Sequence, residues 1–166
     1  MKKNKILLIS PDYPPPFIGG SLVYMHTLIE ESLLNMSIMT DLGNRDNTEK
    51  VNYLESRYIT NSSNPSTLSL MIMYFFILLK IPKILNYKIV ILNISSAGNG
   101  FYAYILKKLG FKVVIISYAE ELSISLKRKG NKGAIKRLLM RGYSHADMII
   151  SVSNFAKNIL TSEMGI

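Results

Sequence analysis

The stretch that decides the fold is residues 5–26, KILLISPDYPPPFIGGSLVYMH. Its apolar run, residues 6–9, predicts a buried strand, and the prolines that follow predict a stiff loop. Gly19 and Gly20 end this loop, and a helix is predicted to begin at Ser21. The chain therefore opens with a strand that leads through two glycines into a helix.

Gly19 and Gly20 are candidate substrate-binding residues. Because glycine has no side chain, backbone N–H groups at such a helix start can approach a phosphate or a sugar hydroxyl. The alternative is that the two glycines only turn the chain. The spacing matches neither G-x-G-x-x-G nor G-x-x-x-x-G-K-[ST], so neither of these nucleotide-binding motifs is present.

The helix that follows has an apolar stripe with period 3.6, which predicts one buried face. The stripe consists of Leu22, Met25, Leu28, Ile29 and Leu33, and Glu30 and Glu31 lie away from it. His26 falls at the edge of the stripe. It is either a packed histidine on the helix flank or a substrate contact one turn into the helix.

Composition bounds the class of protein. A chain of 166 residues, 48% of them hydrophobic, suits one domain with a full core and excludes a disordered chain. It has no cysteine and two histidines, His26 and His145, which excludes disulfides and argues against zinc. We expect no metal and no other cofactor. The net charge of +9 predicts an anionic partner, for which nucleic acid, acidic lipid and nucleotide-linked substrates are the candidates.

No secretory signal or membrane span is predicted. The apolar run after the basic N-terminus ends at Ser10, which is too short for a signal peptide. The longest apolar run, residues 68–79, falls short of the roughly 18 residues that cross a bilayer. We expect a cytoplasmic protein in which this run forms a buried or interfacial helix.

Strands and helices alternate along the rest of the chain. Strands are predicted within residues 35–42, 52–60, 88–94, 112–117 and 148–152, and helices within residues 67–80, 101–109, 122–141 and from Asn154 onward. Gly110 is predicted to end one helix, and Ser153 to cap another. This order predicts an α/β fold, a Rossmann-like, doubly wound, mostly parallel sheet with helices on both faces.

In such sheets ligands bind beyond the carboxyl ends of the strands. Four segments directly follow predicted strands: Gly19 and Gly20, residues 95–100, residues 118–121, and Ser153. We expect them to converge on one edge of the sheet.

A basic helix is predicted before the last strand, since residues 122–146 contain no acidic residue. Its cationic side carries Lys132, Lys136, Arg137 and Arg141. This pattern favours attraction to an anionic membrane, and the alternative is a solvated helix face. Nucleic acid is a less favoured partner, because no aromatic residue is interleaved with the cations and no nucleic-acid-binding motif is present.

Three stretches, taken together and in order, resemble the N-terminal half of a GT-B glycosyltransferase of family 4. They are residues 5–20, residues 113–122 (VVIISYAEEL) and residues 144–157 (SHADMIISVSNFAK). The resemblance extends from Lys5 to about residue 160. It implies an enzyme of polysaccharide biosynthesis with two Rossmann-like halves, which transfers a sugar from a nucleotide-sugar with retention of configuration. It also implies that the N-terminal half binds the acceptor, a glycan or a lipid-linked sugar.

Carried over by position, the resemblance places Gly19 and Gly20 near the donor diphosphate and its sugar. It makes Tyr118 and Glu120 catalytic candidates, and Glu121 and Ser153 substrate-binding candidates. Tyr118 stands where the family commonly has histidine, and Ala119 where it commonly has glycine. Because tyrosine is a poor base near neutral pH, Glu120 would have to compensate, unless it is a solvated loop carboxylate.

The Glu-rich motif with which this family binds nucleotide-sugars does not occur in residues 1–166. We therefore expect one N-terminal domain that ends before its last strand, with the donor-binding domain supplied in the same polypeptide or by a partner chain. Alone, the chain is expected to be inactive. The second hypothesis is a non-catalytic module that binds a membrane or a protein partner. Either form would be cytoplasmic, in one version peripheral on the inner face of the cell membrane.

Overall fold

The computed structural model describes residues 6–10, 20–31, 36–40, 52–55, 82, 84–93, 98–118 and 132–166. The strands in these segments are β1 (Ile6–Ile9), β2 (Met36–Thr40), β3 (Asn52–Glu55), β4 (Ile89–Leu92), β5 (Lys112–Ser117) and β6 (Met148–Ser151). The helices are α1 (Gly20–Glu31), α2 (Gly98–Lys108), α3 (Lys132–His145) and α4 (Asn154–Met164).

The six strands form one sheet in the order β3-β2-β1-β4-β5-β6. Every described pair of neighbours is parallel, and β1 pairs in register with β2 on one side and β4 on the other. The order of the strands reverses between β1 and β4, which makes this position the topological switch point of a doubly wound sheet. The predicted Rossmann-like α/β fold is confirmed.

Strand β1 is buried on both faces. Leu7 and Ile9 belong to one apolar cluster, whereas Ile6 and Leu8 belong to another, as the alternation of side chains along a strand requires. The first cluster includes side chains of α2, α3 and α4, and the second includes Met25 and Ile29 of α1. Helices therefore cover both faces, which explains why the strand reads as a continuous apolar run.

Helices α2 and α3 touch through their backbones. A Cβ atom added at Gly142 of α3 would overlap the carbonyl carbon and oxygen of Gly100 in α2. Tyr102 and Tyr143, the neighbours of this contact along the two helices, are 2% and 1% exposed. The sequence predicts that α2 begins after Gly100, but the helix begins at Gly98, so Gly100 lies in its first turn.

The predicted ends of two helices are confirmed. Gly110 has φ 89°, and the N–H groups of Gly110 and Phe111 donate to the carbonyls of Lys107 and Leu106, as in a glycine-terminated helix. Ser153 caps α4, because its hydroxyl oxygen accepts a 3.1 Å hydrogen bond from the N–H of Ala156.

Other predictions fall partly or wholly outside the described residues. The predicted helix at residues 67–80 and the first part of the basic helix, residues 122–131, lie outside them. The strand predicted around Tyr58 and Ile59 is described only at Asn52–Glu55. Within the described segments, the helices are too short and too polar to cross a bilayer.

Asp147 fixes the turn between α3 and β6 to two other elements. Its Oδ2 accepts a 2.8 Å hydrogen bond from the N–H of Val113, and its own N–H donates to the Val113 carbonyl at 2.8 Å. Its Oδ1 pairs with Lys107 of α2. The bond from Lys107, and then the bond from Val113, hold the pKa of the Asp147 carboxyl below its ordinary value of 3.8.

Replacement of Asp147 by alanine is expected to lower the free energy of unfolding near neutral pH by about 1 kcal/mol, since the side chain is partly screened by solvent. A carboxyl whose folded pKa is depressed stabilises the fold above its unfolded pKa and stops doing so as pH falls through the folded value. The difference between wild type and variant should therefore shrink below pH 3.8. Urea unfolding across this range measures it, and a difference that grows with acid would contradict the assignment.

Candidate site at the carboxyl edge of the sheet

The carboxyl ends of β1, β4, β5 and β6 lie side by side, because these strands are consecutive and parallel in the sheet. The first described residues beyond them are Ser10, Asn93, Tyr118 and Val152. The parallel strands thus share one carboxyl edge, with the switch point between Ser10 and Asn93. Residues 19, 95–97 and 119–121, which are predicted to converge there, lie outside the described residues.

Ser10 and Asn93 extend the strand pairing by one residue. The N–H of Ser10 donates to the Met39 carbonyl, and the N–H of Asn93 donates to the Ile9 carbonyl, both at 2.9 Å. The two side chains also bond, since Asn93 Nδ2 donates to Ser10 Oγ at 2.9 Å. Ser10 is 1% exposed and Asn93 is 7% exposed. The switch point thus has a buried polar floor.

The sequence interpretation missed this pair. It placed Asn93 inside the predicted strand 88–94, whereas β4 ends at Leu92. The asparagine near the end of the otherwise apolar run KIVILNI is the sequence feature that could have indicated this pair. Buried amides need hydrogen-bond partners, so a polar residue in such a run marks either a strand end or a site.

Gly20 is the first residue of α1 and is exposed. A Cβ atom added there would meet no atom of the described residues within 4 Å, and the backbone is not left-handed. Among the described residues, neither packing nor backbone geometry requires glycine at this position. The substrate-binding role of Gly20 stays a prediction, and Gly19 lies outside the described residues.

His26 and Tyr118 are both partly buried. His26 lies on α1 next to the buried Met25, and Tyr118 packs against the apolar cluster beneath α1. Both residues therefore lie on the face of the sheet that α1 covers. Glu120 and Glu121 lie outside the described residues, so the catalytic and substrate-binding roles of this segment stay predictions.

Ser153 lies beyond the end of β6 and is exposed. Its oxygen is committed to the cap of α4, but its hydroxyl hydrogen can still be donated to a ligand. The structural role of Ser153 is thus confirmed, and its substrate-binding role stays a prediction.

The cationic surface predicted on the basic helix includes residues of a second helix. Arg137 and Arg141 of α3 are exposed, while the side chains of Lys132 and Lys136 are outside the described set. The Arg141 guanidinium lies 5.3 Å from the ring centre of Tyr104 in α2, and Lys108 Nζ lies 5.8 Å from the same centre. An aromatic ring therefore stands among these cations, although no aromatic residue lies among them in the sequence.

His145 completes this surface at the end of α3. Its ring meets Tyr104 edge to face at 5.5 Å. Its Nδ1 lies 2.6 Å from the Arg141 carbonyl oxygen, and because a carbonyl only accepts, Nδ1 carries the hydrogen. We call Tyr104, Lys108, Arg137, Arg141 and His145 the basic surface.

Two open grooves lie outside the switch point of the sheet. One, of about 520 Å³, is at the amino ends of β4 and β5 beside Lys88 and Lys112. The other, of about 420 Å³, lies beside β6 near Met148 and Leu160. Parallel sheets bind their ligands in the crevice beyond the carboxyl ends of the strands, so neither groove is the candidate site. Within the described segments, no cluster of three or more histidine, aspartate or glutamate residues could hold a metal ion.

We compared the whole chain, which includes the carboxyl edge and the three resembling stretches, with known proteins. No protein-family model matches the chain, and no curated protein matches it.

Proposed function

We propose that this chain is the acceptor-binding half of a retaining glycosyltransferase, which uses a nucleotide-sugar as donor and a glycan or lipid-linked sugar as acceptor. The observation that carries the proposal is the buried, hydrogen-bonded polar pair Ser10 and Asn93 at the switch point of the sheet. The three resembling stretches support it, because the first and second end at the start of α1 and after β5, and the third spans β6 and the start of α4.

The chemistry divides between two halves of the enzyme. In the transfer, the acceptor hydroxyl oxygen bonds to the anomeric carbon, the bond from that carbon to the phosphate oxygen of the nucleoside diphosphate breaks, and the hydroxyl proton goes to a base. This half would hold the acceptor at the carboxyl edge, where Tyr118 and Glu120 are the candidates for orienting the hydroxyl. The donor-binding half would come from the same polypeptide or from a partner chain. No metal and no cofactor is proposed.

The test is a transfer assay with a panel of labelled nucleotide-sugars. We expect transfer when this chain and a donor-binding half are both present, and none from this chain alone. A complete protein that leaves every nucleotide-sugar intact would contradict the proposal. Product stereochemistry, read by proton coupling at the anomeric carbon, tests retention.

A second candidate function is a non-catalytic module that docks on an anionic membrane from the cytoplasmic side. The observation that favours it is the basic surface, where exposed cations of α2 and α3 stand together. Both functions allow docking, since a lipid-linked acceptor lies at the membrane. They differ in transfer activity alone.

Docking predicts that Arg137→Gln/Arg141→Gln weakens binding to phosphatidylserine vesicles by about 30-fold, since each cation near an anionic surface contributes about 1 kcal/mol. Binding should also weaken as salt is raised. Vesicle co-sedimentation across a salt series measures both effects.

The matched control is Lys88→Gln/Lys112→Gln, which removes the same charge from exposed residues at the amino edge of the sheet. It should bind vesicles almost as the wild type does. Equal binding to neutral vesicles, or an equal loss in both variants, would contradict docking through the basic surface. Tighter binding to RNA than to vesicles would favour nucleic acid as its partner.

A further inference from the structure

Asn93 carries a buried hydrogen-bond acceptor that is not used inside the described part of the protein. Its Nδ2 donates to Ser10 Oγ, but Oδ1 is closed to solvent and has no partner among the described residues. A buried carbonyl oxygen without a donor costs free energy, and proteins retain few such groups. The exception at Asn93 therefore calls for a partner from outside these residues.

The position of Asn93 indicates what kind of partner this is. Asn93 follows β4 and Ser10 follows β1, so the pair lies at the switch point, where doubly wound sheets open a crevice for ligands. Ser10 Oγ already accepts a hydrogen bond, which leaves its hydroxyl hydrogen to be donated. The pair can thus offer one acceptor and one donor.

An amide oxygen discriminates among the ligands of such an enzyme. It accepts hydrogen bonds and donates none, so it attracts hydroxyl groups and repels phosphate oxygens. The floor of the switch point is therefore suited to a neutral polyol and unsuited to a diphosphate. This separates a sugar hydroxyl from the donor diphosphate, whose oxygens need N–H groups or cations.

We propose that Ser10 and Asn93 form the floor of a sugar subsite, in which Asn93 Oδ1 accepts a hydrogen bond from a hydroxyl of the acceptor. The inference deepens the proposed function and rests on it only for the identity of the ligand as an acceptor sugar. Because Oδ1 is closed to solvent in this structure, binding requires a local opening.

The test is an NMR titration of the ¹⁵N-labelled chain with the methyl glycosides of glucose, galactose and mannose. The Asn93 side-chain amide and the backbone amides of Ser10 and Asn93 are expected to shift. The control ligands are the permethylated forms of the same glycosides, which keep the ring but have no hydroxyl to donate, and these should shift none of the three groups.

A variant pair then separates binding from stability. Ser10→Ala/Asn93→Leu removes both polar partners together, so its melting temperature should equal or exceed that of the wild type, while the dissociation constant for the sugar rises about tenfold or more. Ser37→Ala is the matched control, since Ser37 is a buried serine near the start of β2, and it should leave binding unchanged.

Several results would overturn the proposal: no shift with any glycoside, equal shifts with the permethylated forms, or undiminished binding by the double variant. The comparison of the two ligand sets uses the wild type and decides the matter even if the double variant does not fold. The titration needs no nucleotide-sugar, so a negative transfer assay does not change the binding result. A negative titration, in turn, does not decide the outcome of the transfer assay.

Discussion

Gly142→Ala is expected to be among the most destabilising single substitutions in the described part of this chain. The new methyl group would overlap the backbone of Gly100, which no side-chain rotation can relieve. The helices α2 and α3 would have to separate, and the packing around Tyr102 and Tyr143 would be lost with them. Forced overpacking of this kind costs about 3 kcal/mol or more, which lowers the melting temperature by about 6–12 °C.

Gly20→Ala is the matched control, because it adds the same methyl group to a helical glycine with open space around it. Its free energy of unfolding should stay within about 0.5 kcal/mol of the wild type. Thermal unfolding followed by circular dichroism measures both variants. If the melting temperature of Gly142→Ala equalled those of Gly20→Ala and the wild type, the two helices would not be in backbone contact.

Sequence patterns could not predict the backbone contact between α2 and α3. Glycine carries no hydropathy signal, and Gly100 and Gly142 belong to helices separated by a strand. The interpretation of residues 95–100 as a loop followed from their Ser, Asn and Gly content, which favours turns when tertiary packing is ignored. Packing between helices outweighs that local preference, because each helix gains a buried face from the other.

The strands were easier to predict than the helix starts. Strand β5 has the bounds expected from KVVIIS. A β-branched run that begins after Gly110 and ends at Ser117 predicts a strand and no other element. Strand β3 was predicted by weaker alternation, and its described part begins where expected but is shorter. A continuous β-branched run is therefore a stronger strand signal than a weak alternation of polar and apolar residues.

The candidate site was predictable as an edge but not as a set of contacts. The alternation of strands and helices predicts a doubly wound parallel sheet, and the carboxyl ends of its strands mark the ligand edge. Asn93 donates a hydrogen bond to Ser10, and the Arg141 guanidinium lies over the Tyr104 ring. Each contact joins two elements that are far apart in sequence, so it depends on how the elements pack. Those pairs are products of the three-dimensional fold.

Gly20→Val is the substitution with the largest expected effect on transfer. Valine needs space at the start of α1, and no atom of the described segments fills that space, so we expect the chain itself to fold unchanged. In a protein that includes the donor-binding half, the added isopropyl group would occupy the volume where we place the donor diphosphate and its sugar. Loss of close approach to the first N–H groups of a helix is expected to lower kcat/KM about tenfold or more.

Thr27→Val supplies the control, since Thr27 lies two turns further along the same helix with an exposed side chain. It tests whether a β-branched apolar residue on α1 is harmful in itself. Transfer should be unchanged in Thr27→Val and lowered in Gly20→Val, while the melting temperatures of both stay near that of the wild type. Undiminished turnover by Gly20→Val would remove Gly20 from the site. A fall in its melting temperature would instead assign the glycine to the folding of the loop, because a ligand contact has no effect on the unliganded chain.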